Sequence, residues 1–119
     1  MSSFIQQKTL DEVKNLSNFD MIADLPSELF NPYKLLILNS LYRMDYLSFS
    51  QFKNMIKNIS DGNLLSHLRA LTKDEYISVQ KKQAGRYTKQ FYQLTNKGKK
   101  TFEAILDGLN IYMSTINRT

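Results

Sequence analysis

Apolar residues recur along this chain at two periods, close to 3.6 in some segments and 2 in others, and the alternation predicts an order of elements. In "TLDE", Thr9 caps a helix and Glu12 reaches back to it, with Leu10, Val13 and Leu16 following at helical intervals. Residues 17–31 mix apolar and acidic residues around Pro26 and read as an irregular connection holding another turn or two of helix. "NPYKLLILNSLYRM" opens with Asn31 as cap and Pro32 at the first helical position, where its missing N–H costs nothing. Leu35, Leu36, Leu38, Leu41 and Tyr42 make this helix apolar nearly all round, so it is expected at the centre of the core.

"DYLSFSQFKNMIKN" begins with a short extended piece, after which either Ser48 or Ser50 caps a helix carrying Phe52, Met55 and Ile56, with Asn58 suited to its end. In "ISDGNLLSHLRALTKDEY", Ser60 or Asp61 caps a third helix with Leu64, Leu68 and Leu71 along one side. Gly62 in its first turn is a mild cost unless something must come close there. The period then changes to 2. "YISVQKKQ" and "KQFYQLT" alternate as strands do, Ile77 and Val79 on one, Tyr92 and Leu94 facing the core from the other, joined through "AGRYT" with Gly85 at a basic tip. A final long helix carries Phe102, Ile105, Leu106, Leu109, Met113 and Ile116 along one stripe, weakened at Gly108.

Three helices followed by a two-stranded hairpin is the order of a winged helix-turn-helix. The expected class is α+β, mainly helical, with a two-stranded wing, an N-terminal helical extension over 1–30, a DNA-binding domain over 31–95 and a long C-terminal dimerisation helix over 96–119. The chain also resembles small winged-helix DNA-binding regulators related to the MarR-like and ArsR-like repressors. Asn31 and Pro32 open the first core helix, Phe49 and Ser50 the second, "SDGNLLSHL" occupies the recognition-helix position, and "YQLTNKG" matches the Y-x-L-T-x-x-G that closes the wing. The resemblance covers roughly residues 30–110. It has one departure: where such sequences carry Gly before the first wing strand, this chain has Glu75.

Charge sharpens the expectation. The chain carries +5, yet residues 1–31 hold two basic against five acidic residues. Between Tyr76 and Lys100 lie Lys81, Lys82, Arg86, Lys89, Lys97, Lys99 and Lys100 and no acidic residue. Such segregation is the footprint of a polyanion-binding surface, or else a plain solvated face. A recognition helix needs a slim polar face to approach base edges in the major groove, and Gly62, Asn63, Ser66, His67 and Ala70 supply one that reads as small and uncharged. Asn63 suits a bidentate adenine contact, Ser66 a base or phosphate, and Ala70 a thymine methyl. Asn63 is also an ordinary helix-start residue, and His67 has the alternative of packing beside the second helix. Asp61 could accept from a cytosine amino group, but capping is its more natural role.

In the wing, Arg86 at the tip is placed for phosphates or an adjacent minor groove. Lys81, Lys82 and Lys89 are either backbone contacts or solvated charge, and Tyr87 either stacks near a sugar or packs across the hairpin. The stripe of the last helix, Phe102, Ile105, Leu106, Leu109, Tyr112, Met113 and Ile116, extends beyond what one hairpin covers. It predicts a homodimer on an inverted-repeat site, the alternative being a monomer whose N-terminal segment folds back over it. With no cysteine, one histidine and four glycines, thiolate, cysteine-zinc and phosphate-loop chemistry are excluded, and neither enzymatic activity nor a cofactor is expected. The partners expected are double-stranded DNA and a second copy, with no membrane, in a cytoplasmic, nucleoid-associated setting. No effector ligand can be read from the residues.

Overall fold

The computed structural model describes residues 25–116. The first helix expected after Thr9 lies outside the described residues. A 3-10 turn at Ser27–Leu29 leads into α1 (Pro32–Arg43), followed by β1 (Leu47–Ser48), α2 (Phe49–Met55), α3 (Asp61–Lys73), β2 (Ile77–Ala84), β3 (Tyr87–Leu94) and α4 (Asn96–Ile116). The chain separates into two compact units, one spanning Pro26–Phe102 and another to which α4 contributes from Glu103 onward.

Each helix start has a local cause. Asn31 Oδ1 accepts from the N–H groups of Tyr33 and Lys34, at 2.9 and 3.2 Å. Of the two candidates for α2, Ser48 is the cap, and Gln51 completes a reciprocal capping box with it. For α3 the cap is Ser60, whose Oγ accepts from the Asn63 N–H at 3.1 Å. Asp61 is not the cap; it pairs instead with Lys53 at 2.9 Å. Lys53 Nζ also donates to the Ile59 carbonyl at 2.6 Å, while the Tyr33 hydroxyl donates to that of Asn58 at 3.1 Å. These bonds tie down the turn between α2 and α3, where Asn58 has φ +64°, a conformation asparagine tolerates better than most residues.

The core of the larger unit is built from Ile37, Leu38 and Leu41 of α1, Phe52 of α2, Leu64, Leu68 and Leu71 of α3, and Leu47, Ile77 and Tyr92 of the sheet. The central place expected for α1 holds for its Ile37–Leu41 side, while Leu36 and Tyr42 keep large exposed surfaces. The two-stranded wing has the expected form, and β1, the short extended piece expected before α2, pairs with it to make a three-stranded antiparallel sheet in the order β1-β3-β2. Leu47 pairs with Tyr92 and Ser48 with Phe91, so β1 braces the root of the wing, while β2 and β3 pair along their whole length from Ile77↔Leu94 to Ala84↔Tyr87.

Glu75, where the family resemblance leads to an expectation of glycine, adopts φ +64°. A side chain in that left-handed region costs about 1–2 kcal/mol, and glycine's greater freedom in the unfolded chain offsets only about 0.5–1 kcal/mol of any relief. Glu75→Gly is therefore expected to stabilise the protein by about 1 kcal/mol, raising Tm by ~4–8 °C in thermal denaturation. An unchanged or lower Tm would show that the Glu75 side chain makes up for its backbone.

Candidate nucleic-acid interface

The α2–α3 pair presents one open surface of α3, because Leu64, Leu68 and Leu71 are turned into the core. Gly62, Asn63 and Ser66 are exposed on it, and Ala70 is half-buried. His67 stands at the edge nearest α1, where its ring stacks on Tyr33 with centroids 5.9 Å apart and an interplanar angle of 29°. Burial and then the nearby Lys34 charge lower its pKa, so the imidazole is neutral at neutral pH.

The same open surface is not uncharged. Arg69 and Lys73 are exposed on it, at three and seven residues beyond Ser66, spacings that return to the same side of a helix. Sequence reading grouped the small residues and passed over these two, although the interval from Ser66 was enough to place them. The surface has two sides: Asn63, Ser66 and Ala70 on one, Arg69, Thr72 and Lys73 on the other.

In the wing, Gly85 takes φ +64° at the turn, which a side chain would resist, and the Gln83 amide donates to its carbonyl at 3.0 Å. Lys81, Lys82, Arg86, Tyr87 and Lys89 are all exposed, Tyr87 at 76%. Pleating separates the lysines. Lys81, opposite Gln90, shares the hairpin face of Val79 and Tyr92, while Lys82 and Lys89 lie directly across from each other on the reverse face. Two like charges so placed repel. Lys82 gains elsewhere: its ammonium lies over the Tyr46 ring at 4.1 Å, and Tyr46 meets Phe91 edge-on at 5.2 Å. Lys97, one of the basic residues between Tyr76 and Lys100, lies over the Tyr76 ring at 4.6 Å and donates to the Asp74 carbonyl at 2.8 Å.

The stripe of α4 also divides. Phe102 and Ile105 are buried within the chain, whereas Leu106, Leu109, Tyr112, Met113 and Ile116 are exposed. The first two have no surface to offer a second copy.

A helix whose polar side is open, following a braced turn and preceding a basic hairpin, is the arrangement of a winged helix. Residues 33–113 match a family described as winged helix DNA-binding domain. The chain belongs to that family. An uncharacterized protein of Methanocaldococcus jannaschii is 33% identical over 67 residues, 56% of this winged-helix chain and 72% of its relative. Among solved structures, the transcriptional regulator homologue of Pyrococcus horikoshii OT3 superposes with a TM-score of 0.67 at 24% identity, covering 89% of this chain and 97% of that one. A regulator assigned to the MarR family from Enterococcus faecalis V583 gives 0.67 at 20% identity over 77% and 81% of the two chains. Bacillus subtilis PadR, solved in complex with operator DNA, gives 0.57 at 24% identity, over 64% of this chain and 47% of PadR. At these identities the structural likeness establishes the fold. Winged-helix domains of this family are DNA-binding modules, not enzymes, and no described helix is long and apolar enough to cross a membrane.

Proposed function

We propose that this winged-helix protein is a sequence-specific transcriptional regulator that binds double-stranded DNA as a homodimer on an inverted-repeat site. The observation that carries the reading is the uncharged side of α3, where Asn63 and Ser66 stand exposed with the half-buried Ala70, followed in the chain by a basic hairpin tipped by Arg86. Small polar groups discriminate between bases, whereas the cations around them bind any phosphate. His67 contributes at the edge of this surface. In the wing, Lys81, Arg86, Tyr87 and Lys89 reach backbone or minor groove, and Lys82 is shared with the Tyr46 ring. Residues 31–95 would form the DNA-binding part and α4 the dimerisation helix, whose exposed stripe would set two α3 helices about one DNA turn, ~34 Å, apart.

Arg69 and Lys73 favour a second reading, an architectural protein that coats DNA with little base preference, since such a protein places cations on this surface. Selection of bound sites from random duplexes at about 150 mM salt separates the two. The regulator yields an inverted-repeat motif, and Asn63→Ala relaxes one base position in each half-site by about 1–3 kcal/mol, while Arg86→Ala weakens all sites alike. Binding without a motif, falling steeply with salt, replaces the first reading with the second.

A further inference from the structure

His67 is the one histidine in the chain, and it stands half-buried where α1 meets the open surface of α3. It follows Asn63 by four residues, so it flanks the small polar side of the helix, on the edge opposite Thr72, which faces the wing. Tyr33 holds it there. The two rings stack with centroids 5.9 Å apart, and the Tyr33 hydroxyl is itself tied to the Asn58 carbonyl at 3.1 Å. We propose that His67 makes DNA binding proton-linked: the imidazole takes up one proton as a duplex docks on α3, so that affinity rises as the pH falls. This linkage, which rests on the DNA-binding reading above, puts that binding under the control of acidity.

The surroundings of the ring support it first. Its neighbours three and four residues away on α3 are Asn63, Leu64, Ala70 and Leu71, none of them charged. The α2–α3 turn brings Asn58 and the Lys53–Asp61 pair, whose opposite charges meet at 2.9 Å. From α1 come Tyr33 and Lys34, and Lys34 is the charge that bears on the imidazole. Burial, and then that ammonium, keep the ring neutral in the free protein. Its place supplies the second support. A helix lying in a major groove has a phosphate strand along each flank, and His67 occupies one flank of α3 with Lys34 behind it. A phosphate arriving there reverses the sign of the local field and favours the charged ring, which then donates through both nitrogens. The free ring thus titrates at lower pH than the bound one. Between those two points binding takes up a proton, and affinity climbs as the pH falls through the bound value and levels off below the free one.

Because no other histidine is present, proton NMR can follow the His67 ring alone, in the free protein and on a duplex from the selection above. Its titration point is expected to move up by about one pH unit or more on binding. At fixed salt, affinity should rise about tenfold or more from about pH 8 to about pH 5.5. His67→Gln keeps a donor and an acceptor but does not titrate, and its affinity should be the same at both ends of that range, with circular dichroism melts checking its fold at each. Lys34→Gln should move the titration point of the free protein up toward the ordinary histidine range. Neutral methylphosphonates, placed one at a time through the half-site, should cancel the rise at the phosphate that His67 meets. A wild-type affinity that is flat across this range overturns the proposal, as does an equal rise in His67→Gln, since another group then takes the proton. A titration point that falls on binding also overturns it and makes His67 a neutral contact. Each of these results leaves the DNA-binding reading standing; that reading, and this linkage with it, fails if the wild type binds no duplex at any pH.

Discussion

Gly98→Ala should cost the protein about 3 kcal/mol, the upper end of what overpacking costs, seen as a fall in Tm of ~10–20 °C. Helix propensity argues the other way, because Gly98 lies in the first turn of α4, where alanine would ordinarily gain up to ~1 kcal/mol. Sterics decide the sign. A Cβ on Gly98 would land on the Tyr76 carbonyl oxygen and stand 3.1 Å from Leu94 Cδ2. That carbonyl is fixed main chain: the Thr95 N–H donates to it at 3.1 Å and the Thr95 hydroxyl at 3.2 Å. The same hydroxyl donates to the Glu75 carbonyl at 2.6 Å and accepts from the Gly98 N–H at 2.9 Å. Thr95 therefore caps α4 and ties it to the strand start at Tyr76, and only a glycine three residues later leaves room for the closure. Gly62→Ala is the matched comparison, since a Cβ there meets nothing within 4 Å, and it should raise Tm slightly. Thermal melts giving both substitutions the same sign would refute the steric account.

The second large effect concerns assembly. Leu109→Glu puts a carboxylate in the middle of the exposed stripe of α4, where Leu109 is 45% exposed and Tyr112 and Met113 each 53%. If two copies meet there, sedimentation should shift from dimer to monomer at micromolar concentration with little change in the melt of the winged-helix unit. Affinity for an inverted repeat should fall by about 10²-fold or more as the second half-site loses its tether. A wild type that already sediments as a monomer, with Leu109→Glu lowering Tm, would mean that the N-terminal segment of the same chain covers the stripe.

Local chemistry was readable from residues alone. Asn31 and Pro32 and the hairpin turn at Gly85 each depend on one or two neighbours in sequence and lie where spacing put them, and the caps of α2 and α3, Ser48 and Ser60, are each one of the two candidates spacing offered. What depended on distant residues was not. β1 is two residues long, too short to show a period, and its pairing with β3 joins positions some forty residues apart. Nothing in a string of letters tells that Lys82 rests on Tyr46, or that Glu75 must turn left-handed. The candidate site was half legible for a different reason. Asn63, Ser66 and Ala70 stood out as small residues between leucines, whereas Arg69 and Lys73 were passed over, although their spacing from Ser66 sets them on the same exposed arc of α3.

The bracing of the wing by so short a strand makes the hairpin a lever. β1 holds β3 no farther out than Phe91, opposite Gln80, and the five residues from there to Gly85 project by ~16 Å at the usual rise of a strand. Swinging about that fulcrum by roughly 10° carries Arg86 through ~3 Å, close to the rise of one base step. The Tyr46 ring beneath the Lys82 ammonium, two residues beyond the fulcrum, opposes such a swing, so under the proposed function an aromatic residue away from α3 and the hairpin tip would help to set the spacing between them.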